Sequence, residues 1–529
     1  MLAKALIVLL AKGYPNKDEK GARAACSARL LFFGRRGRVM RNVILSAVLA
    51  VFGASNVAAQ TGPDLAQMGL QPRIDALAQN PERHGFELGM LSALRGIEKT
   101  FQTRYEYGLG DRLMALPMLR VQLGPRNPAP KTFAPDTLTQ MMRVVLQDME
   151  TARAHLDQAS QNGAIEPFTL TLQHVWFDVN SNNQRDNGED AIQALAPFLL
   201  GRQALRALSD EVLQSPLTVR FDAADHAWLT AYTQMVSGFG SLFLAYDPAP
   251  VLQDLENKRA LLADAPEIPN TFDPDLLAAQ IDALEIQQVA LDEQLTSLRN
   301  RERELKAQVK TIRENDPDAD VSELNAETNR IRGLEINPLR NQQRSIRAEI
   351  SAANAKLTRG GASQFNTFRN DVDALYVLLA TLRQEPDKAH VAAAHAHWLE
   401  MIAQNRVFWA ALSQETDNDR EWIPNPQQTS ALPLTVDAGM AEGWQAILKD
   451  AEDLLEGRLL LPHPLLPSDT GINLKAFAED PAPLDLINWV HGIGAYPYAA
   501  KGPLITRQRW LAFQRLTGGN AAGFALFFN

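Results

Sequence analysis

The chain has a single cysteine, Cys26, in 529 residues. It lies inside a segment expected to be removed, so the mature fold is expected to have no thiol and no disulfide. A chain of this length can hold together by its apolar core alone. Aromatic residues are modest at 7%, and nothing in the composition suggests wholesale disorder. There is no H-E-x-x-H, no G-x-S-x-G, no Walker sequence and no C-x-x-C, so the common signatures of zincins, serine hydrolases, P-loop enzymes and thiol redox proteins are missing. Long apolar runs are missing too. The longest that matters, "VILSAVLAVFGA" at Val43–Ala54, is twelve residues and too short to span a bilayer.

That run has a meaning of its own. Arg35, Arg36, Arg38 and Arg41 precede it, and "SNVAAQ" with small residues at Val57 and Ala59 follows it. Basic, apolar and small-residue regions in this order predict a secretory signal cleaved after Ala59, with residues 1–59 as leader. Met40 stands directly before the signal, so translation from either Met1 or Met40 fits. The expected location is periplasmic, extracellular or on the cell surface. Residues 1–59 hold ten of the 52 Lys and Arg but only two of the 62 Asp and Glu, so the remainder carries a net charge of −18. Such a surface repels nucleic acid and anionic lipid and attracts divalent cations.

Apolar periodicity predicts a mainly α protein: a multi-helix body with a few short strands and an inserted antiparallel coiled-coil hairpin. In residues 60–251, Phe86, Met90, Leu94, Ile97 and Phe101 fall on one helical face. Leu138, Met141, Met142, Val145, Met149, Ala152 and Leu156 fall on another. "FTLTLQHVWF", Phe168–Phe177, alternates like a strand, and a helix is expected from about Ala191 to Gln214. "PLTVRFDAADHAWL" and "PLTVDAGMAEGWQAIL" share a layout of strand, Asp cap, helix and tryptophan, with Asp222 and Asp437 as caps and Asp225 at the capping-box position.

Residues 252–360 differ in kind. From Leu277 to Ile312 apolar residues step by four and three, and after "ENDPDAD" a second seam runs from Leu324 to Leu357. This is the pattern of a coiled-coil hairpin. Pro338 is expected to kink the return helix or shift its register. Residues 361–529 read as further helices followed by a looser tail rich in glycine, proline and aromatics.

One stretch points at specific chemistry: "FDVNSNNQRDNGED", Phe177–Asp190. With Asp178 as position 1, Asn180, Asn182, Gln184, Asp186 and Glu189 occupy positions 3, 5, 7, 9 and 12. A hard cation such as calcium takes six to eight oxygens, and a curled loop turns alternate side chains inward. The stretch resembles EF-hand-type calcium loops, in the variant found in dockerin-like modules and bacterial surface-protein repeats. The resemblance covers residues 178–189 only. It implies that Asp178, Asn180, Asn182, Asp186 and Glu189 supply side-chain oxygens and Gln184 its main-chain carbonyl, with Ca2+ as a structural staple. Asn183 stands where such loops usually have glycine, and the incoming segment reads as a strand, unlike the helix of a paired sensor.

Three further clusters are candidates for other roles. Glu415, Asp417, Asp419 and Glu421 lie close together beside Trp422, as a ligand platform, a second cation site or a carboxylate pair, although a solvated connection between helices has the same composition. His491, with Tyr496, Tyr498 and Lys501, suits a pocket lining or plain packing. His390, His395 and His397 read as ordinary helix histidines. The function expected is an exported, calcium-stabilised binding or scaffold protein whose arm contacts a protein or envelope partner. The alternative is an envelope or carbohydrate hydrolase joining 415–422 to 491–501. Neither nucleic acid nor a transmembrane span in the mature chain is expected.

Overall fold

The expected helical faces organise the structure, a computed structural model that describes residues 65–109, 124, 127–161, 165–191, 216–261, 273–316, 318–359, 361–431, 436–517 and 521–528. In chain order the main elements are α1 (Pro81–Glu106), α2 (Thr137–Gln161), β1 (Phe168–Thr171), β2 (Thr218–Phe221), α3 (Ala223–Ala245) and α4 (Ala249–Leu261). Then follow α5 (Pro274–Asn315), α6 (Ser322–Arg330), α7 (Asn337–Arg359), α8 (Gly361–Leu382), α9 (Lys388–Leu412) and α10 (Ala438–Leu455). The chain closes with β3 (Leu461–Pro462), β4 (Thr470–Ile472), β5 (Ala499–Lys501), α11 (Gln508–Leu516) and α12 (Ala521–Phe528). The fold is mainly α with short antiparallel strands. It divides into two units, one of residues up to Pro250 together with those from Thr381 onward, the other Val251–Ala380.

In the first unit, α1 lies on α2, and α3 packs on both α2 and α9. Phe86, Met90, Ile97 and Phe101 are buried on α1, and Val145, Met149, Ala152 and Leu156 on α2. Gly89 explains how closely α1 and α2 approach: a Cβ there would stand 2.7 Å from the Leu156 side chain. Of the α2 methionines, Met149 packs against Gly96 of α1, Met142 lies against Gly240 further along the chain, and Met141 joins a small separate cluster with Leu138. Asp222 caps α3, accepting from the Ala224 amide at 3.1 Å, and Asp225 completes the capping box. Asp437 caps α10 by accepting from the Met440 amide at 2.8 Å, and Trp228 and Trp444, the tryptophans of the two similar layouts, are both buried. The strand expected before Asp437 falls on 432–435 and the helix expected over 191–214 on 192–215, both outside the described residues.

β1 and β2 pair antiparallel, Phe168 opposite Phe221. The extension is shorter than the alternation suggests. It stops at Thr171, where Leu172–His174 turn into a 3-10 helix. The Gln173 side chain then accepts from the Leu217 amide at 2.9 Å and takes over the role of a ladder carbonyl. A second difference is the tail. It builds a three-stranded antiparallel sheet, β3-β4-β5, over a small core of Ile472, Ala495 and Tyr498 backed by Phe477 and Trp489. Strands of two or three residues are too short to show a period. The last helix returns to the main core, where Phe528 meets Trp409 and Trp444.

The second unit is the hairpin. Residues 274–315 form one helix of 42 residues, about 60 Å long at 1.5 Å per residue. Leu284 and Leu291 meet Ile346, while Leu295 meets Ile331 and Ile336. The effect expected of Pro338 takes a defined form. Residues 331–336 are a π-turn, placed just before the proline that has no N–H to donate. The wider turn sets Ile331 and Ile336, five apart, on the same side. A plain helix would turn Glu335 toward Leu295 in place of Ile336. At the base, Tyr376 donates to Asp254 at 2.6 Å and Arg259 to Asp373 at 3.1 Å, joining α4 to α8.

Candidate functional site

The 178–189 loop is held at both ends. Phe177 N–H donates to the Glu189 carbonyl at 2.9 Å, and Ala191 N–H to the Val175 carbonyl at 3.0 Å, so chain enters and leaves as a small antiparallel bridge at Trp176 and Asp190. Between these points the backbone curls through the left-handed region at Ser181 (φ 58°), Asn183 (φ 59°) and Gly188 (φ 91°). Asn183, standing at the usual glycine position, takes that conformation because its short polar side chain tolerates it better than most.

The side chains turn inward. Asn180 and Asn182 both donate their side-chain amides to Asp186 Oδ2, at 2.7 and 2.9 Å. The two oxygens of Asp178 accept from the amides of Asn182 and Asn183 at 3.0 and 2.9 Å. Glu189, with no exposed surface, accepts from Val179 N–H and Asp186 N–H at 2.9 and 2.8 Å. Burial raises its pKa, and those amide bonds oppose the rise. The Asp178 and Glu189 oxygens each keep a further lone pair after one amide bond, whereas Asp186 Oδ2 accepts two. The side-chain oxygens of Asn180 and Asn182 accept from main-chain amides, those of Asn182 at 3.1 Å and Gln184 at 2.7 Å. The side chains at positions 1, 3, 5, 9 and 12 of the register all carry oxygen, the donor a hard divalent cation takes. Arg185 faces away, toward Asp190 and the Gln173 carbonyl. For Gln184, whose main-chain carbonyl is the atom implicated, the structure records its amide held by Asn182 Oδ1 at 2.7 Å.

Two helix residues not picked out from sequence anchor the loop. Glu98 accepts from Asp178 N–H, and Gln102 donates to the Asp178 carbonyl, each at 2.7 Å. Glu98 is buried on α1 with Arg95 at 2.6 Å, and burial raises its pKa against that neighbour. A carboxylate between Ile97 and Phe101 was the available signal. Gly124, from the proline-rich connector, donates to the Gly188 carbonyl at 3.1 Å.

A second acidic site joins distant parts of the sequence. Asp222, Glu415 and Glu421 bring carboxylate oxygens within 4.8 Å of one another, the one such group of three among the described residues. Asp225, 4% exposed, lies behind them. Burial pushes Glu415 up to about 7, with the Asp222 charge adding to the effect. Burial likewise raises Glu421, and raises Asp225 well above the carboxylate range, helped by Asp222. Arg220 supplies positive charge, 2.8 Å from Asp417 and 3.6 Å from both Asp222 and Asp419. Sequence singled out Glu415, Asp417, Asp419 and Glu421 as one cluster, and assigned Asp222 and Asp225 only to a helix cap. Chemically, the triad can hold a hard divalent cation or share a proton between neighbouring carboxyls.

The remaining candidates lie elsewhere. Trp422 is turned into the core against Phe221 and Trp228, so it presents no open aromatic face to a ligand. The apolar environment of that side chain outweighs the polarity of its loop. His491 is exposed beside the small C-terminal core, whereas Trp422 belongs to the main one. Lys501 pairs with Asp469 at 3.0 Å. His390, His395 and His397 take separate partners: Asp387, the Leu455 carbonyl and Gln234.

Comparison with known proteins returned no match, whether to family models, to curated sequences or to solved structures. Among the described residues no helix is long and apolar enough to cross a membrane.

Proposed function

We propose that the chain is an exported binding or scaffold protein, its body stapled by Ca2+ at residues 178–189 and its coiled-coil arm contacting a protein or envelope partner. The observation that carries this reading is the convergence of Asn180 and Asn182 on Asp186. Positions 3, 5 and 9 of the twelve-residue register share one interior, as a cation cage requires. The short bridge around the loop ties it into the fold and offers no groove to open, so the ion stabilises and does not switch. Affinity on the order of 10⁻⁴ to 10⁻³ M suits such an extracellular module.

Isothermal calorimetry on chelator-stripped protein tests the staple, with Mg2+ as control. Calcium heat together with a raised melting temperature supports it, and neither signal appearing rejects it. The hydrolase alternative has less support, because the 415–422 and 491–501 loops belong to different apolar clusters. A second cation reading rests on the Asp222–Glu415–Glu421 triad. It is separated from the first by whether Glu415→Gln or Asp186→Asn abolishes the calcium heat.

A further inference from the structure

The C-terminal region of the body presents an exposed apolar surface. Leu465, Leu486, Ile487, Val490, Ile493 and Tyr496 are between 40% and 73% exposed. They are neighbours in space. Ile487 and Val490 are three apart on the short helix Leu486–Val490, and so share a face. A Cβ on Gly492, in the turn that follows, would stand 3.6 Å from Leu465 Cβ. Ile493 and Tyr496 continue the same turn, joined by a backbone bond.

The surface is firm. His491, Gly492 and Gly494 donate backbone bonds to Ile487, Trp489 and Asn488, each at 3.0 Å. Beneath it Trp489 stacks on Tyr498 and meets Phe477 edge-on. A preorganised apolar patch loses little ordering entropy when it is covered.

We infer that this patch is the contact through which two copies of the chain associate, side by side about a two-fold axis. The exposed surface of the six residues, main chain included, amounts to roughly 700 Å², more than the few hundred Å² of an ordinary surface patch and close to the ~800 Å² per partner of a stable interface. The charges around it are already paired within one copy: Lys501 with Asp469 at 3.0 Å, Arg383 with Asp485 at 2.9 Å and Lys388 with Asp480 at 2.6 Å. A two-fold contact sets a surface against itself, so a neutral apolar centre with an internally paired rim brings no like charges together. The same rim has no excess of cations to attract anionic lipid. This inference is independent of the calcium reading.

Sedimentation equilibrium of the full chain at micromolar concentration tests it. The expected result is a two-copy mass. Ile493→Asp and, separately, Leu465→Glu should each weaken association roughly 100-fold with unchanged circular dichroism and melting. Ile286→Asp, on the exposed side of α5, should leave the mass unchanged. The inference is overturned by a wild-type monomer, whether or not it floats with phosphatidylcholine vesicles. It is equally overturned by a dimer that ignores both patch substitutions, or by one that dissociates only with Ile286→Asp.

Discussion

Arg220 and Asp417 form an ion pair at 2.8 Å although they stand 197 positions apart in the chain. The pair fastens the 413–430 loop to the end of β2. It also places a guanidinium beside a cluster of carboxylates that would otherwise repel one another. Arg220→Ala should therefore cost more than one exposed ion pair, about 1 kcal/mol or somewhat above it. Urea denaturation of both proteins measures the difference. A change within error would mean that the loop is held by its core contacts alone.

Glu415 makes stability depend on pH. Its folded pKa, about 7, lies above the ordinary glutamate value of 4.5. Below 4.5 both folded and unfolded states are protonated, and the group contributes nothing. As pH rises from 4.5 through 7, the unfolded chain ionises readily while the folded one resists, so the folded state loses stability. Asp225, raised for the same reason, acts in the same direction. In chelator, the melting temperature should fall between pH 5 and pH 8, and Glu415→Gln should flatten that slope. A wild-type melting temperature that rises over this interval would contradict the assignment.

The structural role of Glu189 is separable from the metal role proposed for it. Without any metal, Glu189→Ala removes the acceptor for two backbone amides at a fully buried position. The expected loss is about 2–3 kcal/mol, read by chemical denaturation in chelator. Asp186→Asn keeps the shape and removes charge. It should cost little in chelator and abolish the calcium-induced rise in melting temperature. Retention of that rise in Asp186→Asn would place the ion elsewhere.

The arm can be removed as a test of partner binding. Replacing residues 273–359 by a short glycine-serine linker should leave the body's cooperative melting intact and eliminate capture of the partner. Within the arm, Leu295→Ala opens a cavity facing Ile331 and Ile336 and should cost about 2–4 kcal/mol. Limited proteolysis of the hairpin would show the loss as faster cleavage.

Much of the architecture was legible in the order of residues, because local periodicity reports which side of a helix will be buried. The faces of α1 and α2, the Asp222 and Asp437 caps and the two seams of the hairpin all follow from spacing alone. The C-terminal sheet did not, since its strands are shorter than one detectable period. The π-turn at 331–336 was visible only as a proline that had to disturb something.

The twelve-residue register of 178–189 is a property of the sequence, as is the acidic balance of the chain beyond residue 59. Only the tertiary structure decided that Glu98 and Gln102 grip the loop's first residue, that Trp422 faces inward, and that Asp222 meets Glu415 and Glu421. Spacing governs what lies within a turn or two of a residue. Contacts across two hundred positions are settled by how apolar faces close on one another, and the polar groups carried by those elements meet as a consequence.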